Sequence, residues 1–371
     1  MAAGAEKLPF WADAILLPAL NLLAAFLVSG IVIWALGEDP FIALSLLIDG
    51  AFGFEEAISY TFYYATNFIF TGLAVSIAFH AGHFNIGGEG QAMLGGLGLT
   101  LAVFLFSGLS PFLAVIMAII GAALFGAAWA YVPAYLQAKR GSHIVITTIM
   151  FNFIASSLLA YLLVGPLQRP GGQMPESADF PEGASLMPLH EIFGMFGKTF
   201  EDGPMNVSLI IALLCAVGVW FLLWRTRFGY ELRVVGQNPN AAAFAGVSVS
   251  RMTIVAMMIS GALAGMMGLN ELLGQQHRLL GGFTLGYGFV GIAVAFMGRN
   301  HPVGIILAAL LFGALYQGGA ELAFEMPTIT RDLIIMIQGL VILFAGALEH
   351  LFRDPVTKIF TKIQTAKEGA A

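Results

Sequence analysis

The sequence predicts an all-α integral membrane protein with about ten transmembrane helices in two pseudo-symmetric halves. Of its 371 residues, 58% are hydrophobic and only 10% charged, and the mean hydropathy is +0.86. A soluble domain carries about 25% charged residues. So few charges cannot clothe a globule of this size in water, which leaves lipid as the main solvent. The apolar runs have helix length and do not alternate as barrel strands would. Backbone polar groups in lipid must be bonded within the chain, so a helical bundle follows. Short polar or glycine-rich segments, drawing on 45 glycines, separate the runs.

The first run, 14–36, follows Lys7 and is too long for the core of a signal peptide. It is read as the first transmembrane helix. Residues 37–59 carry Glu38, Asp39, Asp49, Glu55 and Glu56 with no base, which assigns them to the outer face. Runs at 60–81, 91–107, 112–136 and 144–164 complete the first half, 14–164. An extracytoplasmic loop, 165–205, rich in proline, sets six acids against two bases. It serves either as a linker or as a docking surface for a protein that delivers cargo. Runs at 207–224, 253–273, 283–298, 303–322 and 333–350 make the second half, 206–350, and 351–371 is a cytoplasmic tail. The whole chain, 1–371, is expected to be a single transmembrane domain. Lys and Arg concentrate in cytoplasmic loops. With the N-terminus inside, twelve of the sixteen obey that rule, so both termini are placed in the cytoplasm.

Several function classes are excluded by composition and motif content. A net charge of −6 provides no basic face, so nucleic acid is not expected as a partner. The one cysteine, Cys215, lies in an apolar run and is read as a small buried hydrophobe. No Walker P-loop is present: before Gly197-Lys198-Thr199, Ile192 stands where the first glycine is required. Any ATP hydrolysis must therefore come from another subunit. His-Glu-x-x-His and Gly-x-Ser-x-Gly motifs are absent, and none of the seven Asp residues falls well inside a span. No catalytic residue, metal ligand or resident cofactor is assigned to this chain.

Three segments stand out. His80-Ala-Gly-His-Phe-Asn-Ile-Gly-Gly-Glu-Gly-Gln91 sets four glycines around Glu89 between apolar runs. Such a break survives in lipid only if it is buried in protein or lines a cavity, and a carboxylate there is costly. A tight cytoplasmic turn with Glu89 in water is the other reading. His80 and His83, three apart, are more readily helix-end residues than a metal pair. The matching break in the second half, 281–291, contains Gly286-x-Gly288-x-x-Gly291, a formal dinucleotide fingerprint. That fingerprint works only between a strand and a helix, so close helix packing explains these glycines better. In the cytoplasmic stretch 225–247, Asn238 is placed as N-cap, Pro239 as first helical residue and Gly246 as stop, which predicts a short exposed helix.

These residues resemble the permease subunits of bacterial ABC importers in the branched-chain amino acid and simple-sugar superfamily, specifically its nucleoside-type branch. The resemblance runs from about residue 73 to 347. It rests on Phe84-Asn-Ile-Gly-Gly-Glu-Gly-Gln91, Val145-Ile-Thr-Thr-Ile-Met-Phe-Asn-Phe-Ile-Ala155, Gly229-Tyr-Glu-Leu-Arg-Val-Val-Gly-Gln-Asn-Pro-Asn-Ala-Ala242 and Gly291-Ile-Ala-Val-Ala-Phe-Met-Gly-Arg-Asn-His-Pro302. The family typically has alanine at Gly88 and leucine at Phe151.

The resemblance implies a type II importer fold in the bacterial cytoplasmic (inner) membrane and a second homologous permease. It also implies a cytoplasmic ATPase that binds ATP and Mg, and an extracytoplasmic substrate-binding lipoprotein or protein. A coupling segment into the ATPase would comprise Gly236, Gln237, Asn238, Pro239, Asn240, Ala241, Ala242, Phe244 and Gly246. Asn85, Glu89, Gln91 and Asn152 become candidates for hydrogen bonding a sugar hydroxyl or base edge along the pathway, and Phe84, Phe151 and Phe153 for stacking or gating. Asn152 could instead satisfy a neighbouring helix backbone. The implied function is ATP-driven import of a nucleoside or simple sugar. The competing reading is an ion-coupled secondary transporter, for which the spans offer few carboxylates beyond Glu89 and Glu271.

Overall fold

The computed structural model describes residues 16–344 except 182, 198 and 199, together with 9, 12, 353–358, 360 and 361. Lys7, the end of the last expected span and most of the expected tail lie outside the described residues. Contacts gather in two units, residues 51–317 and residues 1–50 with 318–371.

The helices run in chain order as α1 (Leu17–Ala35), α2 (Pro40–Phe52), α3 (Glu55–His80), α4 (Gly88–Leu105), α5 (Pro111–Arg140), α6 (Ile144–Val164) and α7 (Leu189–Met195). They continue as α8 (Ser208–Arg225), α9 (Arg227–Gln237), α10 (Pro239–Phe244), α11 (Val249–Gly268), α12 (Tyr287–Met297), α13 (Pro302–Glu325) and α14 (Arg331–Ile342). A π-helical turn, Leu269–Gln276, prolongs α11. Among the described residues, eight helices are long and apolar enough to cross a membrane, each on one of the ten expected spans. The other two spans fall on α12 and α14, which are apolar but shorter. At 1.5 Å per residue, the 11 residues of α12 reach about 16 Å, half of a bilayer core of about 30 Å. The acidic segment 37–59, expected as an outer connection, contains α2 and the first turn of α3. Thirteen residues are too few to register as a span.

The unit 51–317 is built around α3 and α4, which are buried along most of their length, while α5, α6 and α8 bury one stripe each. Glycines set how closely these helices pack. A Cβ on Gly95 would overlap Gly265, and one on Gly126 would overlap the Gly261 carbonyl, so α4 and α5 both lie directly on α11. Small residues at such crossings let backbones approach where lipid supplies no hydrophobic drive between helices. The stretch 165–205 is pinned to the π-helical turn and the residues just after it: the amide of Leu186 donates to the carbonyl of Leu273 in that turn, and the amides of Phe180 and Ser177 donate to the carbonyls of His277 and Leu279. Arg169 and Arg278 pair there with Glu176 and Asp179.

In the other unit, Ile33, Ala43, Leu322, Ile329, Ile334 and Ile337 form a small apolar core. Gly50 lies against the Glu321 side chain and Gly318 against the Leu47 carbonyl.

Candidate functional site

The two glycine-rich breaks meet. After α3, residues 81–87 run in irregular backbone and α4 starts at Gly88; after the π-helical turn, residues 277–286 do the same and α12 starts at Tyr287. The first turns of α4 and α12 are so close that a Cβ on Gly288 would overlap the backbone of Glu89. Gly286, at the N-cap of α12, has φ +81°, a left-handed conformation that costs glycine little. Glu89 is 5% exposed. Its carboxylate accepts from the Thr284 hydroxyl at 2.5 Å and the Gly286 amide at 3.0 Å on Oε1, and from the Gly288 amide at 2.8 Å on Oε2. A carboxylate of α4 thus caps the N-terminus of α12, where free amides and the helix dipole favour negative charge. Burial of Glu89 overturns its reading as a solvated turn residue.

The other polar candidates organise the first break. Asn152 Oδ1 accepts from the Gly90 amide at 2.9 Å, and its Nδ2 donates to the Ile86 carbonyl at 2.9 Å. Asn85 Oδ1 accepts from the Gly87 amide at 2.9 Å and from Gln91 Nε2 at 3.2 Å. Asn85 Nδ2 donates to Gln91 Oε1 at 2.9 Å and to Ser260 Oγ at 2.8 Å. The four side chains therefore bond mainly to backbone and to one another, as buried polar groups must.

The aromatic candidates separate. Phe84 lies 5.7 Å from Phe296, Phe151 lies 5.2 Å from Trp129, and Phe153 is two-thirds exposed on the outer face of α6. His80 and His83 have different partners, the Ser76 carbonyl and Thr253 Oγ1.

On the expected coupling segment, Gly236 and Gln237 end α9 and Asn238 caps α10, its Oδ1 accepting from the Ala241 amide at 3.0 Å. Pro239, Asn240, Ala241, Ala242 and Phe244 lie within α10; Phe244 is 95% exposed and Ala242 is buried. Gly246 closes the segment with φ +80°, so the cap, the first-turn proline and the stop fall where the sequence puts them. A Cβ on Gly236 would overlap the His80 carbonyl, so this segment rests on the end of α3, where the first break begins.

The family model for the branched-chain amino acid transport system / permease component matches residues 57–346. The chain belongs to this permease family. It is 36% identical to the glucose ABC transporter permease protein of Haloferax volcanii, over 93% of this chain and 90% of that protein. It is 34% identical to the guanosine ABC transporter permease protein of Bacillus subtilis, over 90% and 93%. A nucleoside ABC transporter permease protein of Lactococcus lactis is 31% identical over 86% and 85%. A solved structure, PsaBC from Streptococcus pneumoniae in complex with Fab, gives a TM-score of 0.45 at 16% identity, covering 81% of this chain and 95% of that one, too slight a likeness to carry an argument.

The permease is thus a multi-pass membrane protein and a transport component. It contains a second buried polar network that the motifs did not point to. Asn67 Nδ2 donates to Glu271 Oε1 at 2.6 Å, and Asn270 Nδ2 donates to Asn67 Oδ1 and to the Tyr63 carbonyl, each at 2.9 Å. Asn270 Oδ1 in turn accepts from Asn206 at 3.0 Å and from Ser208 at 2.8 Å. Asn270 and Glu271 sit on the π-helical turn, a distortion common at functional sites. The available signal was polar residues inside apolar runs, which lipid makes costly.

Proposed function

We propose that this permease is the transmembrane subunit of an ATP-driven importer that moves an uncharged polar solute, a nucleoside or a simple sugar, into the cytoplasm. The observation that carries the reading is Glu89 closing the joint between α4 and α12. Broken helices in transporters place positive N-terminal ends near the substrate, where they meet anionic groups. Here the chain's own carboxylate fills that role at α12, which favours a neutral cargo over a carboxylate-bearing one. The relatives whose printed names specify glucose, guanosine or nucleoside narrow the class further.

In this reading Asn85, Glu89, Gln91 and Asn152 shape the pathway by holding the two breaks, with Phe84 and Phe151 as flanking rings. The segment 236–246 takes up motion from a separate ATPase that binds ATP and Mg, and Gly236 passes it to the end of α3. A second homologous permease and an extracytoplasmic binding protein complete the importer. It lies in the cytoplasmic membrane with both termini inside. Uptake of labelled guanosine and labelled glucose in cells lacking the gene and in complemented cells tests this. Gene-dependent uptake of either supports the class, and dependence for a carboxylate-bearing amino acid instead refutes it.

A further inference from the structure

The C-terminal end of α5 and the N-terminal end of α11 flank an open cavity of about 240 Å³, lined by Lys139, Ser248, Ser250, Arg251, Ile254 and Val255. The Ser250 hydroxyl, donating to the Ala138 carbonyl at 3.2 Å, ties the two ends together. Further along, the Gly126–Gly261 contact holds the same pair of helices. The cations therefore sit on a fixed frame. Lys139 and Arg251 are both exposed, and among the described residues neither has an ion-pair partner. The Ser248 hydroxyl makes no capping hydrogen bond, and no acid lies in the first turn of α11. The lining is doubly cationic with a spare hydroxyl, and its apolar part, Ile254 and Val255, lies one turn along α11 on the same face as Arg251.

The surroundings indicate its depth in the membrane. Tyr131, Tyr135 and Lys139 recur every four residues and so share one face of α5. All three are exposed, and the two tyrosine rings lie 5.9 Å apart. Exposed tyrosines near the end of a spanning helix mark the headgroup level, and a lysine one turn beyond carries its charge into that level. Basic pockets between spanning helices bind anionic headgroups.

We propose that this cavity is a binding site for an anionic phospholipid, with the phosphate between Lys139 and Arg251 and an acyl chain leaving over Ile254 and Val255 toward the tyrosine face. Free inorganic phosphate shares the headgroup chemistry but would gain nothing from the apolar part.

The test uses the full chain in neutral detergent. Thermal unfolding is followed after adding phosphatidylglycerol, phosphatidylcholine or inorganic phosphate, and native mass spectrometry counts retained lipid. Phosphatidylglycerol is expected to raise the unfolding midpoint and leave one tightly held lipid, and phosphatidylcholine to do neither. The double variant Lys139→Gln with Arg251→Gln should lose both effects, while Lys139→Arg with Arg251→Lys keeps them. Equal phosphatidylglycerol protection and retention in the neutralised variant overturns the proposal. Equal protection by phosphate alone also overturns it, making the ligand a free anion. If the neutralised variant unfolds early without lipid, the retained-lipid count on its folded fraction, beside the charge-conserving variant, still decides.

Discussion

Three donors converge on the Glu89 carboxylate, and every one of them comes from Thr284, Gly286 or Gly288 in the other break. A hydrogen bond to a charged group contributes about 1.5–3 kcal/mol, and leaving a buried partner unsatisfied costs as much again. Glu89→Gln keeps the shape but turns an NH2 toward a backbone N–H. It is expected to destabilise the permease by about 2–3 kcal/mol and to lower its unfolding midpoint and uptake together. Unchanged melting and uptake would show that the joint does not depend on the charge. Asn152→Ala removes the partners of Gly90 and Ile86 and should cost about 1–3 kcal/mol. Because both residues hold the start of α4, the double variant should fall short of the sum. A double-mutant cycle in detergent melts measures that coupling.

Two glycines distinguish packing from flexibility at the scale of helices. A Cβ on Gly126 would overlap the Gly261 carbonyl, whereas one on Gly218 in α8 meets nothing within 4 Å. Gly126→Ala is therefore expected to push α5 off α11 and sharply reduce the yield of folded protein. Gly218→Ala should be neutral or stabilising by about 0.5–1 kcal/mol, as alanine is the better helix former. Equal behaviour of the two would mean that the α5–α11 crossing tolerates a methyl group. At α10, Asn238→Ala removes an N-cap worth about 1 kcal/mol. A helix this short has no independent stability. The variant should melt like the parent but co-purify with less of the proposed ATPase, and undiminished co-purification would remove α10 from the coupling role.

For the whole molecule, the two transport readings differ in their source of energy. If a partner ATPase drives import, vanadate should stop uptake in membrane vesicles supplied with ATP, and collapsing the proton and sodium gradients should leave it largely intact. The reverse pattern would favour ion coupling, with the buried Glu271 as the group to examine. Much of the fold was legible in advance because lipid imposes a simple rule on sequence: long apolar runs become helices, and all but two of the expected spans coincide with long ones. Asn238, Pro239 and Gly246 were equally legible because capping is local chemistry. α2 escaped notice because it is short and bordered by acids.

The sequence by itself determined the solvent, the helical class, the two breaks and the family signature, since composition, run length and capping act over a few neighbouring residues. It marked Asn85, Glu89, Gln91 and Asn152 as costly polar groups but not what they bond to. Only the tertiary structure decided that Glu89 caps α12, that Asn152 holds the start of α4, and that Asn67, Asn206, Asn270 and Glu271 form one network. These partners are far apart in the chain, and which donor reaches which acceptor depends on how glycines let α4, α11 and α12 approach. No local pattern of residues encodes that distance.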